Sequence, residues 1–136
     1  MTRNLLVVFT IVVTLFLTVA TVSAHHSAAA TYDTTKHITL KGTVTKVEWK
    51  NPHVFYFIDV PDSSGKLVNW AIEASTPNQL YRAGWRKTDL PLGSTVTLAN
   101  TSPARNGSAK ASGGQLTLPD GRKVLSGYAG NEGEGQ

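Results

Sequence analysis

ITLKGTVTKVEW, residues 38–49, is the stretch on which the fold turns. Its apolar positions alternate as Ile38, Leu40 and Val44 with Gly42 among them, then change parity to Val47 and Trp49. Side chains on a strand alternate with a period of two, so a change of parity needs one extra residue, and a bulge is expected near Thr45-Lys46. The first strand should therefore be bent.

Downstream, Asn51-Pro52 turns the chain into Val54 to Val60, a β-branched and aromatic run with apolar side chains on both faces, the pattern of a strand inside a covered sheet. After the turn at 62–65, Val68, Trp70, Ile72 and Ala74 alternate with more polar neighbours and complete a three-stranded meander. Thr76-Pro77-Asn78-Gln79 has the form of a capping box with proline at the first helical position. Leu80 and Ala83 share one face of the short helix that follows, and Gly84 is expected to end it. So short a helix depends on packing, here of Leu80 and Trp85 on the sheet. A strand over 95–99, a loop over 100–107, an extended segment reaching Leu116 and Leu118, and a turn at 119–121 before Val124-Leu125 finish the pattern. Three strands, a short helix and two further strands, with the first strand bulged, match the order of a five-stranded OB-like barrel, an all-β fold with one short helix. An open antiparallel sheet or small sandwich with the helix on one face satisfies the same alternation.

On the other side of the opening stretch, Arg3 precedes an apolar run from Leu5 to Ala20, and Val22-Ser23-Ala24 supplies the small residues of a signal-peptidase site. Residues 1–24 are thus expected to be a signal peptide cleaved after Ala24, since threonines interrupt the run and it falls short of the ~20 apolar residues that span a bilayer. The location expected is periplasmic or secreted. Residues 25–36 form an N-terminal segment, 37–125 the β domain and 126–136 a flexible tail whose Gly, Asn and Glu content supports no core. The 136 residues include no cysteine, which excludes lipidation at the cut, disulfides and thiolate metal sites. About 110 residues remain after cleavage, one domain able to bury a core unaided. Without Arg3, 12 basic residues stand against 9 acidic ones, a mild excess that suits polyanionic neighbours such as membrane surfaces or acidic polysaccharides. Export argues against nucleic acid as a partner, no stable membrane insertion is expected after cleavage, and no partner protein is indicated.

Several short motifs stand together: His25-His26-Ser27, Tyr32-Asp33, Gly42-Thr43-Val44, Glu48-Trp49, Asn51-Pro52-His53, Trp70, Glu73, Gly84-Trp85 and the stretch from Pro103 to Gly107. With these the chain, from His25 to about Val124, resembles a family of small exported bacterial proteins catalogued as a domain of unknown function. The resemblance implies a periplasmic or secreted location and supplies no activity.

Three of the four histidines, His25, His26 and His37, lie within thirteen residues of the expected mature start. A free amine and imidazole of His25, joined by a further imidazole such as that of His53, would form a brace around Cu(II), and imidazole suits copper and zinc generally. A cut one residue earlier would put His26 third in the chain, where backbone amides complete a square-planar copper site. The simpler alternative is a polar exit from the signal peptide. His53 equally fits a turn in which a ring nitrogen bonds nearby backbone. In an OB-fold the loops between strands one and two and between strands four and five flank the ligand. Here they hold Trp49 to His53 and Pro103 to Gly107, which makes Trp49, Asn51 and Arg105 the candidate ligand-binding residues, Arg105 for an anion. There is no Gly-x-Ser-x-Gly, no His-Glu-x-x-His and no phosphate-cradling glycine loop, and Glu73 and Asp33 read as surface or capping carboxylates, so no catalytic residue is expected. The expected function is that of an exported, non-enzymatic binding module, with copper or another divalent metal at the N-terminal histidines as candidate ligand. The alternative is an oligosaccharide, peptide or small anion held by the loops at 49–53 and 103–107.

Overall fold

The computed structural model describes residues 29–127, within which the unit that begins at Thr31 carries the fold. Its elements in chain order are β1 (Ile38–Glu48), β2 (Phe55–Pro61), β3 (Leu67–Glu73), α1 (Pro77–Arg82), β4 (Thr95–Pro103), β5 (Lys110–Ser112), β6 (Gln115–Thr117) and β7 (Lys123–Leu125). β1 pairs with β2 and β2 with β3 as an antiparallel meander, β3 pairs with β5 in parallel, β5 with β4, and β4 returns to β1. The sheet thus closes on itself as a five-stranded mixed barrel, and the open-sheet alternative falls away. No helix among the described residues is long and apolar enough to cross a membrane.

Closure depends on the bend in β1. Its first half pairs with β4 and its second with β2, and Thr43 belongs to both ladders. The register against β2 shifts between Val44 and Lys46, which makes Thr45 the extra residue where the parity of the sequence jumps. Val44 on one side of the bulge is buried, and Val47 on the other packs against the same core.

β4 runs on through Asn100 to Pro103, over the first part of the stretch that the sequence reads as a loop. Asn100 has φ 55 and stands at a second register shift, between the partners of Ile38 and Leu40. A residue with positive φ in mid-strand is a bulge that reads in sequence like a turn. β5 and β6 likewise keep one pairing offset against β4, Ser112 with Ser102 and Gln115 with Ala99, so they are two halves of one bent strand. The joint is Gly113-Gly114; a Cβ on Gly114 would stand 2.6 Å from the Ala99 carbonyl oxygen, which only glycine avoids. The first half closes the barrel on β3 and the second pairs with β7.

α1 has the capping box that its sequence announces. Thr76 accepts from the Gln79 amide, and the Gln79 side chain returns a bond to the Thr76 amide. The helix ends at Arg82 with Ala83 as its C-cap, one residue before Gly84. It delivers Leu80, 1% exposed, to the core, and the following turn inserts Trp85 at 0%. Trp85 packs at 6.3 Å from Trp49 and 6.0 Å from Tyr56 between ring centroids, and its indole N–H donates to the Leu125 carbonyl. Ile58, Ile72, Val96, Leu98 and Leu116 complete the interior, whereas Trp70, expected on the core face of β3, is only half-buried. The packed unit also takes in residues just outside the expected 37–125 bounds. Tyr32 is buried and bridges to Ala104, and Ser126 is wholly buried with its hydroxyl bonded to Tyr56.

Candidate ligand-binding face

Because Tyr56 and Ile58 point inward, Phe55 and Phe57 stand on the outer side of β2, where both are half-buried. Pairing sets Glu48 and Glu73 on either side of Phe55, and Lys46 and Ala71 on either side of Phe57. This is the face over strands two and three that OB-folds use for ligands. The Lys46 ammonium lies 5.2 Å from the Phe57 ring centroid and also pairs with Glu48, which Lys50 meets at 2.8 Å. Lys46, then Lys50, draws the Glu48 carboxyl down to about 2.

At the end of β3 the Glu73 carboxylate joins two partners. Its Oε2 accepts from the Tyr32 hydroxyl at 2.6 Å, and its Oε1 lies 2.6 Å from His53 Nδ1. An ionised carboxylate only accepts, so Nδ1 carries the proton in this pair and Nε2 is left as the basic nitrogen. Burial first, then the bond to Glu73 and the charge of that carboxylate, push the Tyr32 phenol above its ordinary value. Tyr32 is fixed by backbone as well as side chain, since the amide of Asp33 donates to the Pro103 carbonyl and that of Arg105 to the Thr31 carbonyl.

His53 bonds a carboxylate rather than the backbone expected of it, and its side chain remains 45% exposed. Trp49 is half-buried with its ring engaged by Trp85, so it serves the core more than solvent. Asn51 is exposed and precedes Pro52 through a cis peptide bond. Arg105 is half-exposed and lies 3.8 Å from Asp33, whose carboxyl is held low first by the Thr35 hydroxyl and in smaller part by Lys36 and Arg105. His25 and His26 lie outside the described residues. Among the described residues no group of three or more histidines and carboxylates is placed to hold a metal.

The two loops that the sequence singles out are therefore stitched together by Tyr32 and Asp33, one reaching His53 through Glu73 and the other reaching Arg105. The sequence offers Tyr32 only as a motif residue and Glu73 and Asp33 as surface or capping carboxylates, with nothing that joins the three. Phe55 and Phe57 read in sequence as buried positions of a covered strand; the sign that they face outward is their parity, opposite to that of Tyr56 and Ile58. Residues 14–114 match DUF6152, a family of unknown function. No curated protein and no solved structure matches the chain.

Proposed function

Because the chain belongs to the DUF6152 family, which attaches no activity to it, we propose from geometry that it is an exported, non-enzymatic module that binds an oligosaccharide on the outer face of β2 and β3. One observation carries this reading: two phenyl rings, Phe55 and Phe57, stand two residues apart on one side of a rigid strand, beside a histidine whose orientation a carboxylate holds. Successive outward side chains on a strand are ~6.6 Å apart, a spacing that lets neighbouring sugar rings each lie on an aromatic face. Nε2 of the half-exposed His53 side chain, with Lys46 and Asn51, then meets the hydroxyls. Lys46 covers part of Phe57, but its side chain is 60% exposed and held only by a surface ion pair with Glu48, so a ligand can displace it.

A glycan array probed with the exported protein and with the Phe55→Ala/Phe57→Ala variant tests this. Retention on one class of glycan, lost in a variant that still melts cooperatively, is the expected result. Loss of the reading follows if nothing is retained or if the variant is retained as well as the parent.

A second reading, a divalent metal such as copper, is favoured by one feature of His53. Metal-bound histidines usually donate their second ring nitrogen to a carboxylate, as Nδ1 does here to Glu73, which leaves Nε2 for the metal. If His53 and the N-terminal imidazoles serve as ligands, Cu(II) titration should show one site at neutral pH that weakens in His25→Ala and in His53→Ala. It should weaken also as pH falls through ~6.5, where protons compete for the imidazoles. Calorimetry in which neither substitution alters copper uptake eliminates this reading.

A further inference from the structure

The chain has 13 basic and 9 acidic residues, but its positive charge is not spread evenly. Five cations, Arg82, Arg86, Lys87, Arg122 and Lys123, lie at the end of α1, in the turn after it and at the start of β7, with only Asp89 and Asp120 among them. Elsewhere eight basic residues face seven acidic ones, so nearly all of the net charge of +4 sits in this one group.

The fold brings these segments to one end of the barrel. The Arg122 guanidinium donates to the Gly84 carbonyl at 3.3 Å and to Asp89 at 2.9 Å, and the Trp85 indole N–H donates to the Leu125 carbonyl. Both carboxylates are occupied there: Asp120 meets Arg122 at 2.7 Å, while Asp89 takes Arg122 on one oxygen and the Arg86 amide on the other. Arg82, Lys87 and Lys123 are exposed and have no ion partner among the described residues. Between the cations stand Tyr81, 57% exposed with the Arg86 guanidinium 4.2 Å from its ring centroid, and Leu125, 63% exposed on the same outward side of β7 as Lys123.

We propose that this end of the barrel docks on the surface of an anionic lipid bilayer. The cations are dispersed over helix end, turn and strand rather than converging on a point, which suits a plane of many headgroups better than one small anion. An exposed tyrosine and leucine among them match the interfacial zone, where an amphipathic ring sits at headgroup level and an aliphatic side chain enters the acyl boundary. Basic residues near such a surface each strengthen binding by roughly fivefold, an attraction that salt screens over about 8 Å at physiological strength.

Co-sedimentation with vesicles of phosphatidylcholine, with and without one third phosphatidylglycerol, tests the proposal on the protein as exported. The parent should pellet only with the anionic vesicles and should be released by added salt. Arg82→Gln/Lys87→Gln/Lys123→Gln should lose at least about a hundredfold in partitioning while its thermal melt is unchanged, since all three side chains are exposed. The matched control Lys36→Gln/Lys41→Gln/Lys66→Gln removes as much charge from other elements and should behave like the parent. All chains compared share one N-terminus, so an apolar leader left in place contributes equally to each. Equal loss in the two triple variants overturns the proposal, as does failure of the parent to distinguish anionic from neutral vesicles. Retention of the parent on an acidic polysaccharide matrix without any vesicle binding overturns it too, in favour of a carbohydrate polyanion.

Discussion

Tyr32 and Tyr56 are two of the four tyrosines, and burial is the chief cause that raises both phenols above their ordinary value of 10.0. The folded state holds these protons more tightly than the unfolded chain does, so the stability involved is present in full below about pH 10 and is lost as pH rises above it. Alkaline titration followed by phenolate absorbance should therefore show two phenols that resist ionisation and then release together with the loss of far-ultraviolet circular dichroism. Smooth ionisation of all four with the fold intact would contradict this. Tryptophans divide in the same way. Trp85→Ala should cost ~3–5 kcal/mol, because it empties the centre of the core and leaves the Leu125 carbonyl without its donor. Half-buried Trp70→Ala should cost about 1–2 kcal/mol, and urea midpoints rank the pair. Alternation alone could not separate them, since it assigns Trp70 the inner side of β3 without saying how far the barrel covers that position. The Tyr32, Glu73 and His53 chain was hidden for a different reason: its members are 41 and 20 residues apart, and nothing local in the sequence points from one to another.

Elements whose geometry is set by neighbouring residues were legible in the sequence, and those set by distant partners were not. The bulge in β1 follows from the positions of Val44 and Val47, and the cap of α1 from Thr76 and Gln79, all within a few residues. The extent of β4 and the bend between β5 and β6 escaped, because Asn100 has the composition of a turn while it lies within β4, and Gly113-Gly114 has the composition of a loop while it joins two strands that keep one register against β4. Gly42 shows how tight such a joint can be. It sits where β1 passes from β4 to β2, and a Cβ there would lie 2.5 Å from the Asp59 carbonyl oxygen and 2.9 Å from Val60 Cγ2. The obstruction is backbone and cannot rotate away, so Gly42→Ala should force the strands apart at a cost of ~1–3 kcal/mol. Thr45→Ala, three residues on in the bulge, loses hydrogen bonds made at an exposed position and should cost at most about 1 kcal/mol. Denaturant melts in which the two variants move equally would show that β1 does not need its close crossing.

At the scale of the whole molecule the barrel is held by pairings between chain segments far apart in sequence, β1 with β4 and β3 with β5, and the last described residues are tied to its core. Ser126 is fully buried, its amide donates to the Gly114 carbonyl, and its hydroxyl bonds the Tyr56 hydroxyl at 2.8 Å across 70 residues of chain. Composition assigns Ser126 to a tail, because a lone serine before a glycine-rich stretch carries no apolar signal; its role is visible only once Tyr56 is placed in the core. A chain ending at Leu125 would leave the Tyr56 hydroxyl, itself at 0% exposure, and the Gly114 carbonyl without those partners. Leaving buried polar groups unsatisfied costs about 1–3 kcal/mol each, more than the bonds themselves contribute when intact. The chain ending at Leu125 should therefore unfold at a lower urea concentration than one ending at Gly127. Tyr56→Phe should narrow the gap between the two lengths, since it removes the hydroxyl that truncation strands. If both lengths share one midpoint, Ser126 is a passenger on the fold; if the gap persists undiminished in Tyr56→Phe, the bond from its amide to Gly114 is what secures the end of the chain.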